Sequence, residues 1–303
     1  MNGIIVGYGS IGQRHARILK KLTRRLSVVS KRDIPFPLTY PSLSSALEQE
    51  NPDYVVIANE TSKHYDSLAQ LAKSGFKGIV LIEKPLFDRV KGTPNHLFKE
   101  AYVGYHLRHH PILQKIFEII KNERTLFCQI YAGQYLPYWR PERDYKLSYS
   151  AQLNKGGGVL LDLSHELDYL HWFFEDWNSI AAKGGKYSSL RIDSTDMFSL
   201  MMEMEKCPMV QVHLNYLDRI NRREITIITD KYSIKADLIQ QTLQINEEKM
   251  DYQINRDDTY VLQHKTIMNG AKDNLCTLHE GLKVVKMIEA AEQSMKQRKW
   301  IYK

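Results

Sequence analysis

Cysteine is scarce: three in 303 residues, with Cys128, Cys207 and Cys276 far apart and in no C-x-x-C or Cys/His ligand spacing. This excludes a disulfide framework and a thiolate zinc site, and it leaves three core thiols. No apolar run approaches the length of a bilayer span. The first residues also lack a basic leader with an apolar stretch and a small-residue cleavage site, so a cytoplasmic chain without a membrane partner is expected. Internal repeats and low-complexity tracts are missing too. The charge excess is modest: 42 basic against 35 acidic residues give +7, and Arg14, Arg17, Lys20, Lys21, Arg24 and Arg25 crowd one early segment. No interleaved basic and aromatic motif accompanies them, so a solvated helix face is expected, with no nucleic-acid partner expected either.

What is present is an ordinary globular composition, 43% hydrophobic and 25% charged, over a length that suits two domains. The stretch "GIIVGYGSIGQRHARILKKL" opens with an apolar run, meets Gly7, Gly9 and Gly12, then places Ile11, His15, Ile18 and Leu22 at helical spacing. That order is strand, tight turn, helix. Gly7 permits the turn, Gly9 lets a pyrophosphate approach the backbone and Gly12 lets helix and strand pack closely. The amides at the helix start, at Ser10 and Ile11, attract phosphate oxygens.

The second strand, "LSVVS", ends where a ribose-reading carboxylate is expected in an NAD site, but the residues there are Ser30, Lys31 and Arg32. A hydroxyl followed by two cations suits a 2′-phosphate, which favours NADP; Asp33 keeps NAD open. Two further strands follow, "DYVVIAN" and "KGIVLIEKP", with an amphipathic helix between them. Alternating strands and helices predict a parallel sheet whose ligand crevice lies beyond the strand ends. Asn59, Thr61 and His64 fall at one such end, and Glu83, Lys84 and Pro85 at the next. Proline there biases Lys84 away from helix and stops further pairing.

In order along the chain stand "GYGSIGQRHAR", "EKP", "VGYHLRHHP" and "GGGVLLDLSHELDYLHW". This ordered set resembles the Gfo/Idh/MocA family of nicotinamide-dependent oxidoreductases. The resemblance implies an α/β fold with a Rossmann domain over 1–104. A C-terminal α/β domain over 105–303 would follow, with an open, mainly antiparallel sheet for substrate binding and for a homo-oligomer contact. It assigns Lys84 to nicotinamide and substrate, His165 as acid/base, Asp162 as its acidic partner, and Tyr105 and Arg108 to the segment that joins the domains and lines the cleft. The family's D-x-x-x-H is shortened here to "DLSH", yet residues 162 and 165 still share a face of the helix expected over 159–174. The short interval between Pro85 and Tyr105, broken by "KGTPNH", predicts a trimmed Rossmann domain.

Hydride transfer at a secondary alcohol needs a proton acceptor and stabilisation of alkoxide charge, roles that suit His165 and Lys84. The loop "YLPYWRPERDYK" offers Tyr138, Trp139 and Arg140 to a polar ring such as a sugar, or packs on its own aromatics. "HLRHH" lacks a carboxylate at ligand spacing, so no metal is expected. The reading is an NAD(P)-dependent dehydrogenase or reductase acting on a sugar, nucleotide sugar or cyclitol. Its rivals are a catalytically silent NAD(P)-binding regulator, or a tightly cofactor-bound hydrolase or epimerase using transient oxidation. Strands are expected at "TLFCQIYAG", "MFSLMMEME", "MVQVHLNYL", "REITIITD", "YSIKADLI" and "TLQINEE", and a last helix over 278–297.

Overall fold

The computed structural model describes residues 1–303. They fall into two compact units, Met1–His109 with Asp257–Leu282, and His110–Arg256 with Lys283–Lys303. The first crossing falls after His109. The segment 257–282 joins the first unit, whereas the expected division gives it to the second domain.

In the first unit the apolar runs become β1 (Asn2–Val6), β2 (Arg25–Val29), β3 (Thr39–Tyr40), β4 (Tyr54–Ile57), β5 (Ile79–Ile82) and β6 (Glu100–Val103). Helices α1 (Ser10–Leu19), α2 (Leu43–Glu50) and α3 (His64–Lys73) alternate with them. Strands β1 to β6 pair in parallel, and β4 and β5 are buried along their whole length, as a sheet covered on both faces requires. The chain runs outward from β1 to β3, then restarts at β4 on the other side of β1. The topological switch point therefore lies between β1 and β4, and their carboxyl ends lead into Gly7 and Asn59. The expected trimming holds for the helix, since residues 83–99 carry none, but the sixth strand is there. Its four residues, "EAYV", are too few to show a clear period.

In the second unit α4 (Pro111–Ile120) precedes β7 (Thr125–Gly133), and α5 (Val159–Asp162) and α6 (His165–Phe174) follow. Seven strands come next: β8 (Trp177–Gly185), β9 (Met197–Met204), β10 (Cys207–Asn215), β11 (Arg222–Thr229), β12 (Ser233–Asp237), β13 (Thr242–Ile245) and β14 (Glu248–Asp251). The helix expected over 159–174 is interrupted. Leu163, at φ −97° and ψ 33°, leaves the helical region, so Asp162 closes α5 and His165 opens α6. Within the first unit the chain then adds α7 (Asp258–Met268) and β15 (Cys276–Thr277), which pairs antiparallel with β6. Helix α8 (Leu278–Gln297) has the expected bounds, and β16 (Ile301–Tyr302) pairs with β8.

The second sheet runs β14-β13-β12-β11-β7-β10-β9-β8-β16, antiparallel except where β10 meets β7. Along β9, Phe198, Leu200, Met202 and Met204 are buried while Ser199, Met201 and Glu203 are exposed, the period-2 signature of one covered face. The other face is an open hollow of about 1120 Å³ lined by residues such as Gln129, Tyr131, Met201, His213 and Trp300. No helix of the chain is long and apolar enough to cross a membrane.

Candidate functional site

The glycine turn is built for close approach. Gly7 has φ +101°, and a Cβ there would lie 2.7 Å from the Asn59 Cα; one on Gly12 would lie 2.2 Å from the Gly7 carbonyl oxygen. Both positions must stay bare so that α1 can pack on the ends of β1 and β4. Gly9 differs, for a Cβ there would meet nothing within 4 Å. It is the N-cap of α1, and no side chain caps the amides that follow at Ser10 and Ile11. Asn59 donates from Nδ2 to Ser67 Oγ at 2.8 Å, yet its Oδ1 is buried without a partner. An open cradle, uncapped amides and an orphaned acceptor at the switch point fit a dinucleotide. Gly7, Gly9, Gly12 and Asn59 would hold it.

Beyond β2, Ser30 Oγ accepts the Arg32 N–H at 3.1 Å, and the Arg32 guanidinium donates to the Tyr8 carbonyl at 3.0 Å within the glycine turn. Lys31, Arg32 and Asp33 are all exposed. In the basic segment Arg14 and Arg17 share Asp257, and Arg25 pairs with Glu50. Thr61 is buried where α3 is approached. His64 is buried too; its Nδ1 lies 3.0 Å from the Pro85 carbonyl and its Nε2 3.2 Å from that of Asn59, so it links the turns after β4 and β5. Burial lowers its pKa.

At the end of β5, Glu83 turns its carboxylate inward, where Oε1 accepts from His15 Nε2 at 2.8 Å and Oε2 accepts the Lys84 N–H at 3.1 Å. Burial pushes this carboxyl up, but the hydrogen bonds from His15 and the Lys84 amide and the Lys84 charge leave it below its ordinary value. Gly104 makes room, since a Cβ there would stand 3.0 Å from Oε1. Tyr105 is fully buried. Arg108 is buried as well, donating to Glu280 Oε1 at 2.8 Å and to the Leu275 carbonyl at 3.3 Å.

In the second unit Asp162 and His165 are buried on either side of the break at Leu163. The Tyr216 hydroxyl donates to Asp162 Oδ2 at 2.6 Å, and burial first, then the Asp162 charge, raise the Tyr216 and Tyr149 pKa values. Trp139 donates from its indole to the Gln134 carbonyl at 3.2 Å and meets Tyr216 edge-on at 5.2 Å. The aromatic loop thus reaches the surroundings of Asp162, while Tyr138 is 56% exposed at its tip. Arg140 is close enough to bear on the Tyr149 hydroxyl. Sequence reasoning missed Tyr149 and Tyr216, which no motif marks. It also missed Glu166, fully buried beside His165, which takes two hydrogen bonds from Arg223 at 2.7 and 3.4 Å. No group of three or more His, Cys, Asp or Glu side chains is placed to hold a metal ion.

The glycine turn at the switch point of a parallel sheet defines the first unit as a nucleotide-binding Rossmann domain. Residues 1–101 match the model of an oxidoreductase family with an NAD-binding Rossmann fold, and residues 129–235 match the GFO/IDH/MocA C-terminal domain. The chain belongs to the Gfo/Idh/MocA family of NAD-binding oxidoreductases. An uncharacterized oxidoreductase from Synechocystis sp. is 29% identical over 170 residues, a stretch that spans 54% of this chain and 45% of that protein. Among solved structures, the WlbA dehydrogenase from Bordetella pertussis in complex with NADH and UDP-GlcNAcA aligns with a TM-score of 0.82 at 19% identity, over 100% of this chain and 98% of that one. A levoglucosan dehydrogenase in complex with NADH and L-sorbose gives 0.83 at 15% identity, again over 100% and 98%. At such identities the likeness is one of fold.

Proposed function

We propose that this chain is an NAD(P)-dependent dehydrogenase or reductase acting on a CH–OH group or carbonyl of a sugar, nucleotide sugar or cyclitol. The observation that carries the reading is the tie between the glycine turn and the Lys84 turn: His15, on the helix opened by Gly9, holds the carboxylate whose other oxygen holds the Lys84 amide. A bound nicotinamide supplies or accepts the hydride. In oxidation His165 takes the hydroxyl proton, and in reduction it returns one to the carbonyl oxygen. Lys84 orients that oxygen and favours its anionic form. Asp162, with Tyr216 and Trp139, belongs to the substrate wall. The sugar-like ligands of the structural neighbours support the substrate class. The experiment is turnover on a panel of sugars, nucleotide sugars and cyclitols, followed by nicotinamide absorbance. Tight binding of cofactor without turnover on any of them would favour a silent regulator.

NADP is proposed in preference to NAD, because Lys31 and Arg32 stand exposed after β2 and Arg32 is anchored to the glycine turn. Arg32→Ala is expected to weaken NADP about tenfold and NAD little, as read by fluorescence titration. An equal loss for both would remove the 2′-phosphate argument. We further propose a homo-oligomer joined through the open sheet face, where Met201 and Met209 are 44% and 49% exposed, tested by sedimentation of a Met201→Lys variant. Three buried free thiols suit the cytoplasm.

A further inference from the structure

Behind Glu83 the first unit carries a chain of polar groups that no motif announces. His15 Nδ1 lies 2.8 Å from His264 Nε2, and His264 Nδ1 lies 3.0 Å from the Tyr54 hydroxyl. Tyr54, His15 and His264 are completely buried and Glu83 nearly so. The four come from different places: Tyr54 opens β4, His264 lies on α7, His15 on α1, and Glu83 follows β5. The rings meet edge to face, at 82° between the imidazoles and 76° between His264 and Tyr54, so neither imidazole can turn without losing a partner.

Proton counting fixes the direction of this chain. An ionised carboxylate only accepts, so His15 carries a proton on Nε2. Burial holds the His264 pKa well below its ordinary value, so that ring is neutral with a single proton. If that proton sits on Nε2 it is donated to His15 Nδ1, and the Tyr54 hydroxyl donates to His264 Nδ1. Every proton then has an acceptor. In the reverse arrangement His15 is a cation, His264 donates from Nδ1 to Tyr54, and the buried hydroxyl proton of Tyr54 has nowhere to go.

We propose that Tyr54, His264 and His15 form a one-way donor chain ending on Glu83, and that His264 and Tyr54 are positioning residues that set where Lys84 stands. The proposal rests on the function given above for Lys84. Aligned donors strengthen one another, so the carboxylate is held by more than its nearest partner. Cutting the chain at His264 leaves His15 Nδ1 bare and free to turn. Glu83 and the Lys84 amide it accepts then lose their fixed place.

The test uses the full chain. Imidazole nitrogen shifts in labelled protein are expected to show His15 and His264 both neutral, each with its proton on Nε2; a doubly protonated His15, or a proton on His264 Nδ1, overturns the chain. The position of Lys84 is read without turnover from the methyl resonance of Lys84 after reductive methylation. His264→Leu is expected to move that resonance and to lower kcat about tenfold, as a misplacement of under an ångström does. His264→Gln, whose amide N–H reaches towards His15 Nδ1, should recover most of both at equal melting temperature, and the milder Tyr54→Phe should shift the resonance in the same direction. If Leu and Gln variants are alike, the effect is general destabilisation and the positioning role is wrong. A protein that turns nothing over defeats the dehydrogenase reading, while the nitrogen and methyl resonances still decide the relay.

Discussion

Two buried glutamates stand next to the two residues proposed for catalysis, and they are held in opposite ways. Glu83, beside Lys84, is held by an imidazole and by a backbone amide. Glu166, beside His165, is held by a guanidinium through two hydrogen bonds, with none of its surface exposed. An imidazole donates while neutral, so Glu83 is held without a partner charge on that ring. A guanidinium stays charged, so Glu166 is locked as one half of an ion pair. The first arrangement suits a turn that must meet a ligand with a set charge balance, and the second pins α6 to β11 with little choice of state.

Cutting the ion pair should have the largest effect on stability. Arg223→Met leaves a buried carboxylate without its cation and is expected to cost about 3–5 kcal/mol, measured by urea denaturation. A loss below about 1 kcal/mol would mean that the carboxylate takes a proton or another donor. Glu83→Gln should cost less, about 1–2 kcal/mol, because the amide oxygen still accepts from His15. If it proved the costlier of the two, the contrast between the glutamates would be reversed.

The smallest effect sharpens the contrast through pH. Burial, then the Arg223 charge, lower the His110 pKa from 6.5 to about 4, and burial, then Arg108, do the same for His109. A histidine depressed in the folded state contributes stability above the unfolded value of 6.5 that is lost as pH falls towards 4. His110 also caps α4, since the Ile112 N–H donates to its Nδ1 at 3.3 Å. Asparagine caps equally well but does not titrate. His110→Asn should therefore match the parent at neutral pH and lose less stability in acid, as followed by denaturation midpoints across that range. Equal slopes would show that His110 does not feel its burial.

Much of the first unit was legible because its signals are local. A glycine turn between an apolar run and a helical period needs only adjacent residues, and so does the strand closed by Glu83-Lys84-Pro85. Six strands of the second sheet were legible from alternation, as "MFSLMMEME" shows, whereas β8, β14 and β16 were not expected. What escaped depends on contacts distant in sequence or on weak periods. Tyr54 and His264 are 210 residues apart, and α7 carries too few apolar residues on one side to stand out as a helix that belongs to the first unit. Arg223 looks like any exposed strand base until Glu166 is seen beneath it. The break at Leu163 has no glycine or proline to announce it, so Asp162 and His165 were read as one helix face when they end and begin two helices.

The central claim is that Lys84 and His165 act on the same reaction. The most direct measurement is kcat and cofactor Kd for Lys84→Ala and His165→Ala on the best substrate of the panel. Each variant is expected to lose about a hundredfold or more in kcat while holding cofactor within about threefold. Parental turnover in both variants would contradict it.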